Sequence, residues 1–383
     1  MSANTRHTPG TALLQTPIVD AHIHLNHLDK MDDLVTLLDA ASVYRANLVC
    51  TPNPEPINHN PALVAFKARH PERAYISGAL DYSRALDDRA HMSQLLAGQV
   101  VRLREIGFDG LKMTEGKPTK RSYIPIPLDA PEYEGLWAAL EDLQMPVLLH
   151  AGDPEQFWDP LRCPPRARAR GWFYGGGDYP LKEELHAEVA HVLQRYPRLR
   201  MVLAHFHFLS ADLQRAGRLL DAYPGICLDL APGSEMLNQF TRANGQARAI
   251  FRRYRDRLIY GTDTTTGGML RDGERAVERA LGRAWAVRTF LETEISFVPP
   301  EGLDHWLQPD LAALQGLALP PEILTRIYRT NVERLYGPAP ARLDLEAGLA
   351  LVRDMAAALD ARAGGPALPN HARLALALLA HAS

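Results

Sequence analysis

The sequence has 383 residues, enough for one large domain or two ordinary ones, and its 46% hydrophobic and 23% charged residues are those of a globular chain with a sizeable core. Lys and Arg number 42 against 45 Asp and Glu, a formal charge of -3 that gives no electrostatic footprint for nucleic acid or an anionic membrane. The three cysteines, Cys50, Cys163 and Cys227, lie far apart, which argues against a disulfide framework or a thiolate metal cage and fits a reducing compartment.

Residues 1–16 are polar, contain Pro9 and Gly10, and read as a flexible N-terminal segment without the apolar stretch of a signal peptide. No run approaches the roughly 20 apolar residues that span a bilayer, so a soluble, cytoplasmic protein is expected. From residue 17 onward, short β-rich apolar runs alternate with longer amphipathic ones, the pattern of successive βα units on a parallel sheet. Strands are predicted at Ile18–Leu25, Ala46–Thr51, Ala74–Leu80, Phe108–Thr114, Pro146–His150, Arg200–Phe208, Ile226–Leu230 and Leu258–Thr262. Eight strands, each followed by helical material, close a barrel, so the fold class is α/β, a (β/α)8 TIM barrel over residues 17–337. Among the helices, Asp29–Ser42 places Met31, Leu34, Leu37 and Leu38 on one face, Leu181–Tyr196 ends before Pro197, and Ser210–Tyr223 has Ser210 as its N-cap.

An insertion of about Thr264 to Pro321 follows strand 8, with its own helix at Gly273–Leu291, ahead of a closing helix at Glu322–Tyr336. Loops after strands lie on the catalytic face of a barrel, which makes this insertion a lid or a substrate wall. Residues 338–383 form a C-terminal helical extension, Asp344–Arg362 and a short final helix, suited to contact in a homo-oligomer.

The residues that carry chemistry stand at strand ends. In Asp20-Ala21-His22-Ile23-His24-Leu25, alternation along a strand puts His22 and His24 on one side and turns Ile23 to the helices. Two imidazoles side by side at a barrel mouth make a poor core and a good clamp for a borderline cation such as zinc. On H-x-H alone, one surface histidine and one hydrogen-bonded core histidine would serve as well. The other strand ends agree, however. The fifth run ends in His150, the sixth in His205 with His207 two residues on, the eighth in Asp263, and the fourth carries Lys112. Each stands at the C-terminal end of an apolar run, where barrel enzymes place their chemistry.

Taken together, Asp20-Ala21-His22-Ile23-His24, Val147-Leu148-Leu149-His150, the run from Pro197 to His205, Tyr260-Gly261-Thr262-Asp263 and the run from Asn331 to Gly337 resemble the amidohydrolase superfamily. The resemblance is narrower still to its amidohydrolase-2 branch, which includes decarboxylases related to aminocarboxymuconate-semialdehyde decarboxylase, and it covers roughly Pro17 to Gly337. It implies that His22, His24, His150 and Asp263 bind one divalent metal, zinc first, and that His205 serves as acid/base or as ligand of a second metal. Three imidazoles and a carboxylate leave an open position on the ion, and a bound cation lowers the pKa of water from about 15.7 towards 7. Asp263 would then accept the water's proton, and His205 would polarise the scissile bond or stabilise an oxyanion.

Lys112 completes the catalytic set with several roles open. In some branches of the superfamily the equivalent lysine is carbamylated and bridges two metals. Unmodified, it would pair with a substrate carboxylate or with Asp263, or reach the barrel rim. Asp153, Trp158, His207, Glu235 and Glu294 are further candidates for substrate contact. The cluster Arg162, Arg166, Arg168 and Arg170 is either a solvated face or a carboxylate clamp.

The leading expectation is hydrolysis of an amide, ester or lactone in a small molecule. Decarboxylation or hydration of an unsaturated or aromatic carboxylic acid, a lyase activity, is its rival. A non-catalytic barrel predicts lost ligands, and here the expected set is complete.

Overall fold

The computed structural model describes residues 13–51, 58–233, 235–267, 269–270, 276–298, 313–362 and 370–380. Nine parallel segments form one sheet: β1 (Ile18–His24), β2 (Val43–Val49), β3 (Ala74–Gly78), β4 (Gly110–Gly116), β5 (Val147–Ala151), β6 (Met201–Leu203), β7 (Ile226–Asp229), β8 (Leu258–Ile259) and β9 (Thr264–Thr265). Their order runs β8-β7-β6-β5-β4-β3-β2-β1-β9. The predicted eighth strand, Leu258–Thr262, is regular only over β8, and β9 is a short additional segment just beyond it, at the start of the expected insertion. β8 pairs with β7, β9 pairs with β1, and between them Tyr260 accepts from Ala21 N at 3.0 Å while Asp263 N donates to the His22 carbonyl at 2.8 Å. The ring is thereby closed, as the (β/α)8 barrel requires.

Two core layers follow from strand alternation. Val19, Ala21, Leu148, Val202, Cys227 and Ile259 fill the barrel interior, whereas Ile18, Ile23, Val147, Leu149, Met201 and Leu203 pack against the helices. All three cysteines are free and buried, consistent with packing. In β1 the alternation slips. Asp20 pairs with Ala46 and Ile23 with Leu48, so three steps on β1 oppose two on β2, a bulge. Asp20 supports it, because its Oδ1 accepts His22 N at 3.0 Å and Thr262 N at 3.2 Å, groups that the interrupted ladder leaves over.

The predicted sixth strand, Arg200–Phe208, is shorter than expected. After Leu203 the chain winds into a turn in which His205, Phe206, His207 and Phe208 all have φ of 52° to 55°. Each non-glycine residue in this left-handed region costs roughly 1–2 kcal/mol, so the turn is held from outside. Asp229 accepts His205 N, and Phe206 packs edge-on to Phe240 at 4.9 Å. Ser210 does not cap the next helix. Leu213–Ala222 is capped by Asp212, whose side chain accepts Arg215 N, and the Ser210 hydroxyl donates instead to Gln239.

The insertion helix is described over Ala276–Glu292, the expected residues 273–275 lying outside the described residues. It is a packed wall, with Ala280, Arg283, Val287 and Phe290 buried. Its last turn holds Leu14, as Arg288 donates to the Leu14 carbonyl at 2.8 Å and Glu292 accepts Leu14 N. The closing helix comes in two pieces, Pro321–Thr325 and Asn331–Tyr336, joined by a wide turn in which the Ile327 carbonyl accepts Tyr260 N at 2.9 Å.

The extension, Leu345–Arg362 and His371–Ala380, lies on the barrel's own helix Asn60–Arg69. Two links secure that side: the buried Lys67 reaches Asp109 at 2.6 Å, and Asp109 Oδ1 accepts Ala341 N at 2.7 Å. Among the described residues no helix is long and apolar enough to cross a membrane.

Candidate active site

The bulge decides where the clamp points. Without it His22 would share the outward side of Ile18. With it the His22 and His24 rings turn into the mouth, their Nε2 atoms 3.1 Å apart. Asp263, at φ 53° where the eighth strand breaks, brings Oδ1 to 3.2 Å from His24 Nε2 and 3.5 Å from His22 Nε2. His205, on the left-handed turn, completes a group with His22 and Asp263 whose donor atoms all lie within 4.8 Å of one another.

Hydrogen bonds fix the tautomers. His22 Nδ1 lies 2.8 Å from Asp229 Oδ2 and His205 Nδ1 lies 3.0 Å from the Ala231 carbonyl. Both partners only accept, so both Nδ1 atoms carry a proton and the Nε2 side of each ring is left for the cluster. Carboxylate–histidine pairs of this kind orient metal ligands. The donor set therefore fits a borderline divalent cation: neutral imidazole nitrogens and one carboxylate, with Asp263 29% open to solvent.

Burial, followed by the neighbouring Lys112 charge, holds His22 well below the usual histidine range. Burial would raise Asp263, but His24, His22 and His205 outweigh it and keep the carboxyl well below its ordinary value. Asp229 is pushed up to about 6 by burial and Asp20 to about 7. Lys112 Nζ lies 3.1 Å from His22 Nε2, and burial lowers it to about 8. Lys112 forms no ion pair with a carboxylate among the described residues.

The other expected residues divide. The His150 ring stands 5.0 Å from that of His205, but its Nε2 donates to the Gly152 carbonyl at 3.0 Å and lies 3.4 Å from Asp153, away from the cluster. Asp153 is buried just beyond, gripped by Lys117 Nζ at 2.7 Å and 2.8 Å and by the Tyr174 hydroxyl at 2.7 Å. Trp158 packs edge-on to Tyr174 in the loop after β5 and donates to the Pro180 carbonyl at 3.1 Å. In that loop Arg168 lies over Phe173, and Arg162, Arg166 and Arg170 are exposed.

His207 leaves the site altogether, stacked on His186 with ring centroids 4.1 Å apart, because the left-handed turn replaces the strand alternation that would have aligned it with His205. Glu235 is buried beside Gly233 at the end of the loop after β7. Glu294 is exposed past the insertion helix, and the structure does not bring it to the cluster.

Sequence reasoning passed over Asp20, Asp229, Lys117 and Arg283. Asp229 carries the same signal as His150, His205 and Asp263, a polar group closing the apolar run Ile226-Cys227-Leu228. Asp20 was seen only as part of a motif. Arg283, in the middle of a helix, gave no signal.

An eight-stranded parallel barrel with imidazoles and a carboxylate converging on its C-terminal mouth has the frame of a barrel enzyme. The sequence profile of the amidohydrolase-2 family, described as Amidohydrolase, matches residues 19–337, and the chain belongs to that family. Among curated proteins, none matches this sequence. Of the solved structures, a candidate amidohydrolase from Staphylococcus aureus is similar with a TM-score of 0.51 and 16% identity, over 84% of this chain and 100% of that one. An uncharacterised TIM-barrel protein from Bordetella bronchiseptica follows at 0.49 and 14%, over 84% and 98% of the two chains. A 2,6-dihydroxybenzoate decarboxylase from Rhizobium stands at 0.49 and 16%, over 84% and 98%. At such identities the likeness extends to the fold alone.

Proposed function

We propose that the protein is a metal-dependent hydrolase that cleaves an amide, ester or lactone bond in a small molecule. The observation that carries this reading is the convergence of His22, His24, His205 and Asp263, with the rings of His22 and His205 anchored through Nδ1 on Asp229 and the Ala231 carbonyl. His22, His24 and Asp263 would hold one divalent cation, zinc by donor chemistry. His150 joins them only if its ring leaves the Gly152 carbonyl. When bound, such a cation supplies the Lewis acidity that makes water a nucleophile near neutral pH. Asp263 accepts the proton of the attacking water and returns it to the leaving group. His205, anchored through Nδ1, presents Nε2 to the substrate and orients it for attack.

A second reading is favoured by one observation. Lys112 is a buried amine that makes no direct ion pair with a carboxylate among the described residues, a setting that suits a substrate carboxylate and hence decarboxylation or hydration of a carboxylic acid. A carbamate on the same amine would instead bridge a second cation.

Elemental analysis of protein purified without added metal or chelator, beside the double variant His22→Ala/His24→Ala, tests the proposal. One equivalent of metal that the variant loses is expected for a mononuclear site. Two equivalents would make Lys112 a carbamate bridge. No metal even after reconstitution would remove the hydrolytic reading. Product analysis then separates the two activities, since a decarboxylase releases carbon dioxide without consuming water.

A further inference from the structure

The insertion helix Ala276–Glu292 sends one buried cation towards the site. Arg283 is 1% exposed, and its side chain spans the place where the sheet comes apart. β7 and β8 pair only through Leu228 with Leu258 and Asp229 with Ile259, and Leu230 N adds a last bond to the Ile259 carbonyl. Beyond that point the β7–β8 pairing ends, and no further rung between the two strands forms among the described residues.

Arg283 fills this gap. Its Nε donates to the Thr262 carbonyl on the β8 side, and its Nη2 donates to the Pro232 carbonyl on the β7 side at 2.7 Å. The same Nη2 lies 3.8 Å from Asp263 Oδ2. The two oxygens of Asp263 are thus divided: Oδ1 faces His24 and His22, and Oδ2 faces the guanidinium. Asp263 stands at φ 53° immediately after Thr262, a conformation that a non-glycine residue keeps only when its neighbours hold it. The backbone passes close to its neighbours here, since a Cβ added at Gly261 would lie 3.0 Å from His22 Cβ and 3.2 Å from Ala231 Cβ.

We infer that Arg283 is the positioning residue of Asp263, fixing by a three-point bridge which carboxylate oxygen faces the imidazoles. The inference rests on the metal-site reading above. A lysine cannot reproduce it, since an ammonium lacks the rigid fork that reaches two carbonyls and a carboxylate at once. The insertion helix Ala276–Glu292 then acts as a buttress of the metal site.

The test is zinc affinity of the folded protein, measured by competition with a chromophoric chelator for wild type, Arg283→Met and Arg283→Lys. Arg288→Met serves as a packing control, because Arg288 is buried on the same helix and pairs with Glu292 away from the site. The expected result is a loss of affinity of about 10- to 100-fold in Arg283→Met, a smaller loss in Arg283→Lys, and none in Arg288→Met.

A double-mutant cycle with Asp263→Asn supplies a readout that general loosening would not move. If Arg283 acts through Asp263, its removal changes the affinity of the Asp263→Asn protein by less than about threefold. Unchanged affinity in Arg283→Met, or full additivity in the cycle, overturns the inference. Should Arg283→Met not fold, wild-type affinity in Arg283→Lys overturns it equally. A wild type that binds no zinc overturns the metal site itself, whereas zinc bound equally by wild type and variants overturns the role of Arg283 alone.

Discussion

Asp229 touches two members of the cluster and is not itself one of them. Its Oδ2 holds the Nδ1 proton of His22 and its Oδ1 accepts the backbone N–H of His205, so one carboxylate sets both a tautomer and the entry to a left-handed turn. Replacing such an outer carboxylate typically costs 10–100-fold in metal affinity. Asp229→Asn is therefore expected to lose about that much, with a circular-dichroism spectrum that still reports the barrel. Chelator competition is the measurement, and wild-type affinity in the variant would show that His22 needs no such partner. Lys112 makes the complementary point about burial. An amine drawn down to about 8 is partly neutral at moderately alkaline pH, and it faces His22 Nε2 at 3.1 Å with its lone pair or its protons.

At the scale of elements, the C-terminal extension meets the catalytic rim through histidines. The His371 ring packs against His59 at 4.7 Å, and its Nε2 donates to the Asn58 carbonyl at 3.0 Å, beside the helix Asn60–Arg69. Burial, then the neighbouring His371 and His27, lowers His59 from 6.5 to about 4, and burial also lowers His371. A folded-state value below the unfolded one means that the unfolded chain binds more protons between these pH values, so stability falls as pH drops from about 6.5 to about 4. At about 1.36 kcal/mol per unit, His59 contributes at most about 3 kcal/mol of this loss. Urea midpoints at pH 7.5 and pH 5 should therefore differ less in His59→Gln than in wild type. An equal difference would mean that His59 is protonated as readily when folded as when unfolded.

For the whole molecule, the cluster crosses the chain from β1 to the residue before β9, so a bound cation would tie the first strand of the barrel sheet to its last. A ligand that binds only the folded state adds about 4 kcal/mol when its free concentration is 1,000-fold above its Kd. Thermal unfolding in excess zinc and after exhaustive chelation should therefore give midpoints several degrees apart, the chelated protein melting first. Coincident midpoints would mean that the barrel closes without help from a metal. The hydrogen bonds Ala21–Tyr260 and Asp263–His22, together with β9 on β1, explain why the chelated protein is still expected to fold.

The sequence alone determined the barrel, its insertion and extension, and the strand ends that carry His22, His24, Lys112, His205 and Asp263. Those features are periodic or local, and an apolar run that ends in a polar group is visible without any neighbour. Only the tertiary structure decided which way these groups face. Simple alternation predicted that His22 and His24 share a side with Ile23 turned to the helices, but not the bulge that brings this about in the fold, since the Asp20 bulge depends on Thr262, more than 200 residues away. The same alternation placed His207 with His205, and the strand ended too early for it to apply, because Asp229 and the Phe206–Phe240 packing hold a left-handed turn there. His150 stood at the right strand end, yet its Nε2 is taken by a carbonyl two residues on. Arg283 was beyond reach for the converse reason: a helix interior position becomes part of a site only when the fold lays that helix across the gap between two strands.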